Sequence, residues 1–208
     1  MSSVDPEDLA DLGASCLGDS GGRAMAAAMG PAYPGARVVG RAYTVLAGPG
    51  DNLALHVACA EAPPGSVLVV DASAAPDTGY WGEVLTTGAE ARGILGLVIE
   101  GGVRDVQEIA AHGFGLFSTL VAHRQATKTG AGGAVGGSVV VGGVTVDPGD
   151  WVVGDADGVT VVPAADADAV VAAAQAKALR EAELFEELRA GETTIDLLGL
   201  DPSPITRR

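Results

Sequence analysis

The sequence predicts a mixed α/β domain, and three observations carry that prediction. Apolar runs of strand length at 66–71, 94–99 and 115–120 alternate with helical patterns at 82–92 and 105–112, the arrangement of parallel strands joined by right-handed crossovers. A later stretch of short valine-rich runs, separated by Pro-Gly and Asp-Gly turns, reads as further β-structure. The 208 residues are 48% hydrophobic, enough for one domain with a buried core.

Taken in chain order, residues 5–29 read as helical turns broken at Gly13 and at Gly21 and Gly22, and residues 36–47 as a strand ended by Gly48, Pro49 and Gly50. Asp51 or Asn52 caps a helix running to Glu61. Pro63, Pro64 and Gly65 then turn the chain into the strand at 66–71. A polar loop precedes the helix at 82–92, and the strand, helix and strand at 94–99, 105–112 and 115–120 follow. Residues 130–143 are glycine-rich and read as a flexible or β-turn segment, punctuated by Val139, Val140 and Val141. Short strands at 144–146, 151–153 and 159–162 lead into a long alanine-rich helix at 164–189, charged in its second half. No linker separates domains, so residues 1–200 form one domain and 201–208, with two prolines, a loose tail.

Twelve Lys and Arg against 27 Asp and Glu give a net charge of -15, which disfavours nucleic acid as a direct partner because phosphate binding draws on basic surface. Two cysteines, Cys16 and Cys59, are too few for a disulfide scaffold and read as buried free thiols. The acidic N-terminus lacks a basic segment before an apolar run, and no uninterrupted apolar span has membrane length. These features predict a cytoplasmic protein that is not membrane-bound. Aromatic residues make up only 4%, so the core must be built of Val, Leu, Ile and Ala.

In parallel sheets, ligands sit outside the carboxyl ends of the strands, where Asp71, the 80–83 loop and Arg104 with Asp105 all fall. Twenty residues lie between Glu83 and Arg104, the length of a helix plus a returning strand. Arg104 suits a carboxylate because its planar guanidinium donates two parallel hydrogen bonds, and a 2-oxo acid fits it. Asp105 offers an anionic oxygen for Mg²⁺ or Mn²⁺, which take one or two carboxylates and keep several waters. Ordinary structural roles compete: Asp105 as cap of the helix 106–112, Arg104 paired with Glu100 or Glu108, Glu83 as a favourable acid in a first helical turn. His56, His112 and His123 lack metal-ligand spacing, which disfavours zinc, and His56 reads as packing or polar support. No Ser-His-Asp signature, Walker loop or CxxC is present, and the glycine-rich segment does not lie between a strand and a helix as dinucleotide binding requires. The charged end of the last helix reads as a solvated face or a surface packed on a neighbouring subunit.

At these residues the chain resembles the RraA-like family, which includes class II 4-hydroxy-4-methyl-2-oxoglutarate/4-carboxy-4-hydroxy-2-oxoadipate aldolases and the regulator of ribonuclease E activity. The carriers are residues 38–42, Gly50-Asp51-Asn52-Leu53-Ala54-Leu55-His56, Trp81-Gly82-Glu83, Gly102-Val103-Arg104-Asp105 with Glu108, and 155–159. The resemblance extends from about Leu12 to Leu200 and implies a layered β/β/α fold of the swivelling-domain type. It implies Arg104 as anchor of a pyruvate carboxylate, Asp105 as direct ligand of Mg²⁺ or Mn²⁺, and Glu83 as an acid holding water of that ion. Backbone at Val84 and Leu85 adds donors to the substrate, and Glu181 approaches the metal site of an adjacent protomer in a trimer or a dimer of trimers. The implied activity is a metal-dependent lyase that releases pyruvate from a 2-oxo acid, by retro-aldol cleavage or oxaloacetate decarboxylation. The implied alternative is a non-enzymatic regulator that binds a ribonuclease; a methyltransferase role lacks a glycine-rich nucleotide loop. Two departures stand out: Glu83 replaces the Asp common in the aldolases, and 123–128 differ from the family's Arg-Gly and Pro-rich pattern.

Overall fold

The computed structural model describes residues 4–206. The first three residues of the acidic N-terminus and the last two of the tail therefore lie outside the described residues. Helix α1 (Pro6–Asp19) starts on Asp5, whose side chain accepts from Glu7 N at 2.9 Å, with Pro6 at the first helical position. Gly13 breaks it internally at φ 74°. The helix stops at Asp19, so helical structure does not continue to residue 29. Gly22 donates to Leu17 O at 2.9 Å, and a side chain there would run into Thr160 at 2.6 Å. The chain instead extends into β1 (Arg23–Ala24) and β2 (Gly30–Pro31).

The remaining elements are β3 (Val38–Ala47), α2 (Leu53–Glu61), β4 (Ser66–Asp71), β5 (Gly79–Trp81), α3 (Glu83–Glu90), β6 (Gly96–Val103), α4 (Val106–His112), β7 (Gly115–Val121), β8 (Gly133–Val135), β9 (Val139–Val141), β10 (Val144–Val146), β11 (Trp151–Asp155), β12 (Gly158–Val162), α5 (Ala167–Arg189) and α6 (Thr194–Leu197). Strands β3, β4, β6 and β7 pair in parallel, and α2, α3 and α4 form the crossovers that parallel strands require. Antiparallel β11, β12 and β1 extend one edge, and β2 closes the other. The small strands β5 and β8 attach to β6 and β3.

Alternation along the strands sends side chains to two faces. Leu68, Val70, Leu97, Ile99 and Leu116 pack with α2, α3 and α4 in one core cluster, while Val67, Val69, Val98 and Phe117 pack with the valines of the β9–β10 hairpin in another. A third cluster lies under α1 and α5, around Leu9, Leu17, Trp151 and Val170. Hairpin, sheet and helices thus form three layers. The buried positions of α5 end at Ala174, and beyond it Leu179 and Phe185 are exposed. Among the described residues no helix is long and apolar enough to cross a membrane.

The glycine-rich segment has the strand expected at its valines, β9, but its earlier part is not only turn or flexible chain, because it carries β8. Its backbone is held by register: Val45 faces Val135, and Val139 faces Val146. Tyr80 and Trp81, expected in a loop, form β5, since both rings are buried and their backbone pairs with the end of β6. The short α6 after the long helix is a further element that composition did not indicate.

Candidate active site

The carboxyl ends of β5 and β6 lie side by side, with Trp81 opposite Val103 and Arg104 N donating to Trp81 O at 2.9 Å. This pairing brings Glu83, the first residue of α3, next to Arg104 and Asp105. Asp105 precedes α4 at φ 56°, ψ 37°, the one described non-glycine residue with positive φ. Aspartate tolerates that region better than most residues, yet holding it there costs on the order of 1 kcal/mol. In return its carboxylate does not cap α4. Oδ2 accepts from Glu83 N at 3.1 Å, at the N-terminus of the neighbouring helix, and lies 3.7 Å from Arg104 Nε. The competing pairings of Arg104 with Glu100 or Glu108 do not form.

Gly82 makes this arrangement possible. Its backbone is extended, so torsion does not demand glycine there, but a Cβ would overlap Asp105 Oδ2 and stand 3.1 Å from Arg104 Nε. Because Gly82 carries no capping side chain, the N–H groups of Val84 and Leu85 in the first turn of α3 remain directed outward with the positive end of the helix dipole. Below them, Trp81 stacks on Phe114 at 5.9 Å between centroids and donates to Thr86 Oγ1 at 2.8 Å. Tyr80 accepts from Gly50 N at 2.8 Å through its hydroxyl and from Asn52 Nδ2 at 2.8 Å through its carbonyl.

A cleft of about 120 Å³ opens beside these groups, lined by Arg104, Val84, Leu85 and Gly82 and walled by Asn52, His56, Gln125 and Lys128. Asn52 Oδ1 and His56 Nε2 are buried without a hydrogen-bond partner among the described residues. Burial and the nearby Lys128 charge both lower the pKa of His56, which keeps the imidazole neutral at pH 7. Sequence reasoning treated His56 as packing or support and Asn52 only as a helix cap. The usable signal was their spacing of four residues, which sets the N-cap of α2 and a residue one turn later on the same side.

Val84, Leu85 and Arg104 line the cleft, and Asp105 and Glu83 stand beside it, joined by the hydrogen bond from Glu83 N to Asp105 Oδ2, whereas Glu181 lies on α5. Lys177 Nζ approaches Glu181 Oε1 at 2.7 Å and Asp19 Oδ2 at 3.0 Å, on the part of α5 that runs past α1. No group of three or more His, Cys, Asp or Glu able to hold a metal occurs among the described residues. Asp105 and Glu83 alone suit a hard ion that takes one or two carboxylates and completes its shell with water and substrate oxygens. They do not suit a closed zinc site. Cys59 is buried, which pushes its thiol up to about 11 and makes it unreactive at neutral pH.

His112, at the end of α4, bridges back to α3: Nδ1 lies 2.7 Å from Glu90 Oε2 and Nε2 3.7 Å from Glu83 Oε1. The hydrogen bond with Glu90, then the charges of both carboxylates, raise its pKa. A raised folded-state pKa contributes stability that is complete below the unfolded value and vanishes as pH rises through the folded one. His112→Gln is thus expected to lower the melting temperature more at pH 5.5 than at pH 8.5, as read by thermal unfolding. Gly82→Ala is expected to fold with near-normal melting, since the side chains of Asp105 and Arg104 must shift but no backbone, while ligand affinity and any turnover fall at least tenfold. Equal activity with an alanine at 82 contradicts the packing described here.

The RraA-like family profile (Aldolase/RraA) matches residues 7–161. A protein of Halalkalibacterium halodurans described as a candidate 4-hydroxy-4-methyl-2-oxoglutarate aldolase is 41% identical over 127 residues, 61% of this chain and 60% of that protein. The chain thus spans less than two thirds of this relative. The structure of the RNA-processing inhibitor RraA from Thermus thermophilis aligns with a TM-score of 0.64 and 29% identity, covering 78% of this chain and 94% of that one. Streptomyces coelicolor RraAS2, an unusual member of the RNase ES inhibitor RraA family, aligns with a TM-score of 0.73 and 27% identity over 88% of this chain and 96% of its own. With three quarters of its length inside the family profile and the same fold in these neighbours, the chain belongs to the RraA-like family.

Proposed function

We propose that this chain is a divalent-metal-dependent lyase that cleaves a 2-oxo acid to pyruvate. The substrates are of the 4-hydroxy-4-methyl-2-oxoglutarate type, cleaved by retro-aldol reaction, or oxaloacetate, decarboxylated at the same site. The observation that carries the reading is that Arg104 and the first turn of α3 line one cleft while the Asp105 carboxylate touches both, at Arg104 Nε and Glu83 N. The H. halodurans relative supports the aldolase class.

Arg104 holds the carboxylate of the pyruvoyl unit with two parallel hydrogen bonds and thereby fixes its plane. The N–H groups of Val84 and Leu85 donate to the oxygen on which negative charge grows as the carbon–carbon bond breaks; preorganised donors of this kind stabilise the transition state more than the ground state. Asp105 and Glu83 would hold Mg²⁺ or Mn²⁺, and such an ion supplies Lewis-acid polarisation of the 2-oxo group. Glu83, half exposed beside Arg104 and Asp105, orients a water that takes the proton from the substrate hydroxyl as the carbon–carbon bond breaks and gives it to the methylene carbon of the pyruvate enolate; decarboxylation uses only the second of these transfers. Lys128 attracts the second carboxylate of a dianionic substrate, at a wall of the cleft shared with Asn52 and His56. Glu181 reaches such a site only from a second copy of the chain, which the reading assigns to a homotrimer or hexamer in the cytoplasm.

The ribonuclease-regulator reading draws on the RraA neighbours and on the net charge of -15. It needs neither an open helix N-terminus nor a left-handed aspartate at a cleft, so the lyase accounts for more of the geometry. The test measures pyruvate release from oxaloacetate and from 4-hydroxy-4-methyl-2-oxoglutarate with Mg²⁺ and then with EDTA. Wild-type protein is expected to release pyruvate only with the ion. Arg104→Ala and Asp105→Asn are each expected to lose on the order of 10²-fold or more with unchanged melting, because Asn also tolerates the left-handed backbone. Full activity in either variant overturns the assignment; no release together with capture of a ribonuclease favours the regulator.

A further inference from the structure

Asp51 is a completely buried carboxylate outside the catalytic set, and its hydrogen bonds explain why it is there. Oδ1 accepts from Leu53 N at 2.9 Å and so starts α2. Oδ2 accepts from Thr127 Oγ1 at 3.0 Å, Thr129 N at 2.6 Å, Thr129 Oγ1 at 3.0 Å and Gly130 N at 3.1 Å. Every donor to Oδ2 therefore belongs to one short loop, more than seventy residues away in sequence. Up to Thr127 that loop is held by backbone pairing, with Gly79 N donating to Arg124 O, Thr127 N to Gly50 O and Asn52 N to Thr127 O. After Gly133 it is held again, by β8 against β3. Between these anchors the Asp51 carboxylate grips both neighbours of Lys128's position, through Thr127 and Thr129.

Lys128 itself lines the cleft with Arg104, and its charge acts on His56 in the same wall. We propose that Asp51 is a positioning residue, which fixes the 127–130 loop so that the Lys128 ammonium stands at the cleft as the receptor for a second carboxylate. This inference rests on the dicarboxylate reading above for its kinetic consequence, but not for its geometry. Asp51 is well suited to the task. The hydrogen bonds, led by that from Leu53 N, outweigh burial and hold its carboxyl well below the usual carboxylate range, so the grip persists at any pH at which the protein works.

The experiment compares Asp51→Asn, Lys128→Ala and the double variant with wild type, using oxaloacetate and Mg²⁺. Asp51→Asn is expected to raise KM about tenfold with kcat within about twofold, and to add nothing in the Lys128→Ala background. Unchanged KM, or a loss that adds fully to that of Lys128→Ala, overturns the proposal. If Asp51→Asn does not fold, Thr127→Val with Thr129→Val removes two hydroxyl donors and leaves the α2 start intact; a KM rise of about threefold supports the proposal and no rise overturns it.

A second readout is independent of turnover and survives failure of the lyase reading. Lys128 lowers the pKa of His56, so Lys128→Ala raises the value measured by NMR titration of the ring. Displacing the loop in Asp51→Asn raises it likewise. Loss of the Asp51 charge with the loop in place lowers it instead, and that outcome contradicts the proposal. An inactive wild type with the expected His56 shift refutes the lyase reading and leaves the loop assignment standing.

Discussion

The site depends on one constraint: Asp105 is held with a left-handed backbone so that its carboxylate meets the N-terminus of a neighbouring helix instead of its own. An aspartate in the ordinary helix-capping conformation would satisfy α4 and leave α3 open to solvent. The left-handed turn costs on the order of 1 kcal/mol. The surroundings over-determine it through three separate contacts, the hydrogen bond from Glu83 N, the neighbouring Arg104 and the pairing of Arg104 N with Trp81 O. The first and third of these contacts require β5 to lie beside β6, where Tyr80 and Trp81 are buried.

The rest of the molecule serves as a frame for that junction. The parallel core β3-β4-β6-β7 delivers several loops to one edge of the sheet, and its two faces are sealed separately, by helices and by the β9–β10 hairpin. Strand ends are better placed than free loops to hold charges within a few tenths of an ångström. The one wall of the cleft built from a long loop, 122–132, is accordingly the one clamped by a buried carboxylate. The cleft thus has Arg104 and the first turn of α3 among its walls, together with Asn52, His56 and Lys128.

Much of this was legible in the sequence, for a physical reason. Runs such as Val67 to Val70 and Leu97 to Ile99 are apolar on both faces, which marks strands covered on both sides, and parallel crossovers then force the strand ends and Arg104 to one edge. The hairpin valines were legible as strands, but not their role as the third layer, because that depends on which face of the sheet they cover. What could not be read was set by long-range contact. The left-handed state of Asp105 follows from Glu83 N, twenty-two residues away, and a local reading favours a cap. Strand β5 is too short for any periodicity, and Asn52 and His56 became site residues only when α2 was placed against Tyr80. The long helix was read as charged in its second half, and its buried positions end at Ala174, before Glu181.

Binding of Mn²⁺, followed by electron paramagnetic resonance with and without pyruvate, addresses the junction most directly, because it reports the ion and the 2-oxo acid at one place without requiring turnover. If Arg104 and Asp105 form one site, pyruvate tightens Mn²⁺ binding in the wild type, and by reciprocity the ion tightens pyruvate. Asp105→Asn then loses the ion, while Arg104→Ala keeps it but loses the effect of pyruvate. Wild-type Mn²⁺ affinity in Asp105→Asn, or a pyruvate effect that persists without Arg104, contradicts the assignment.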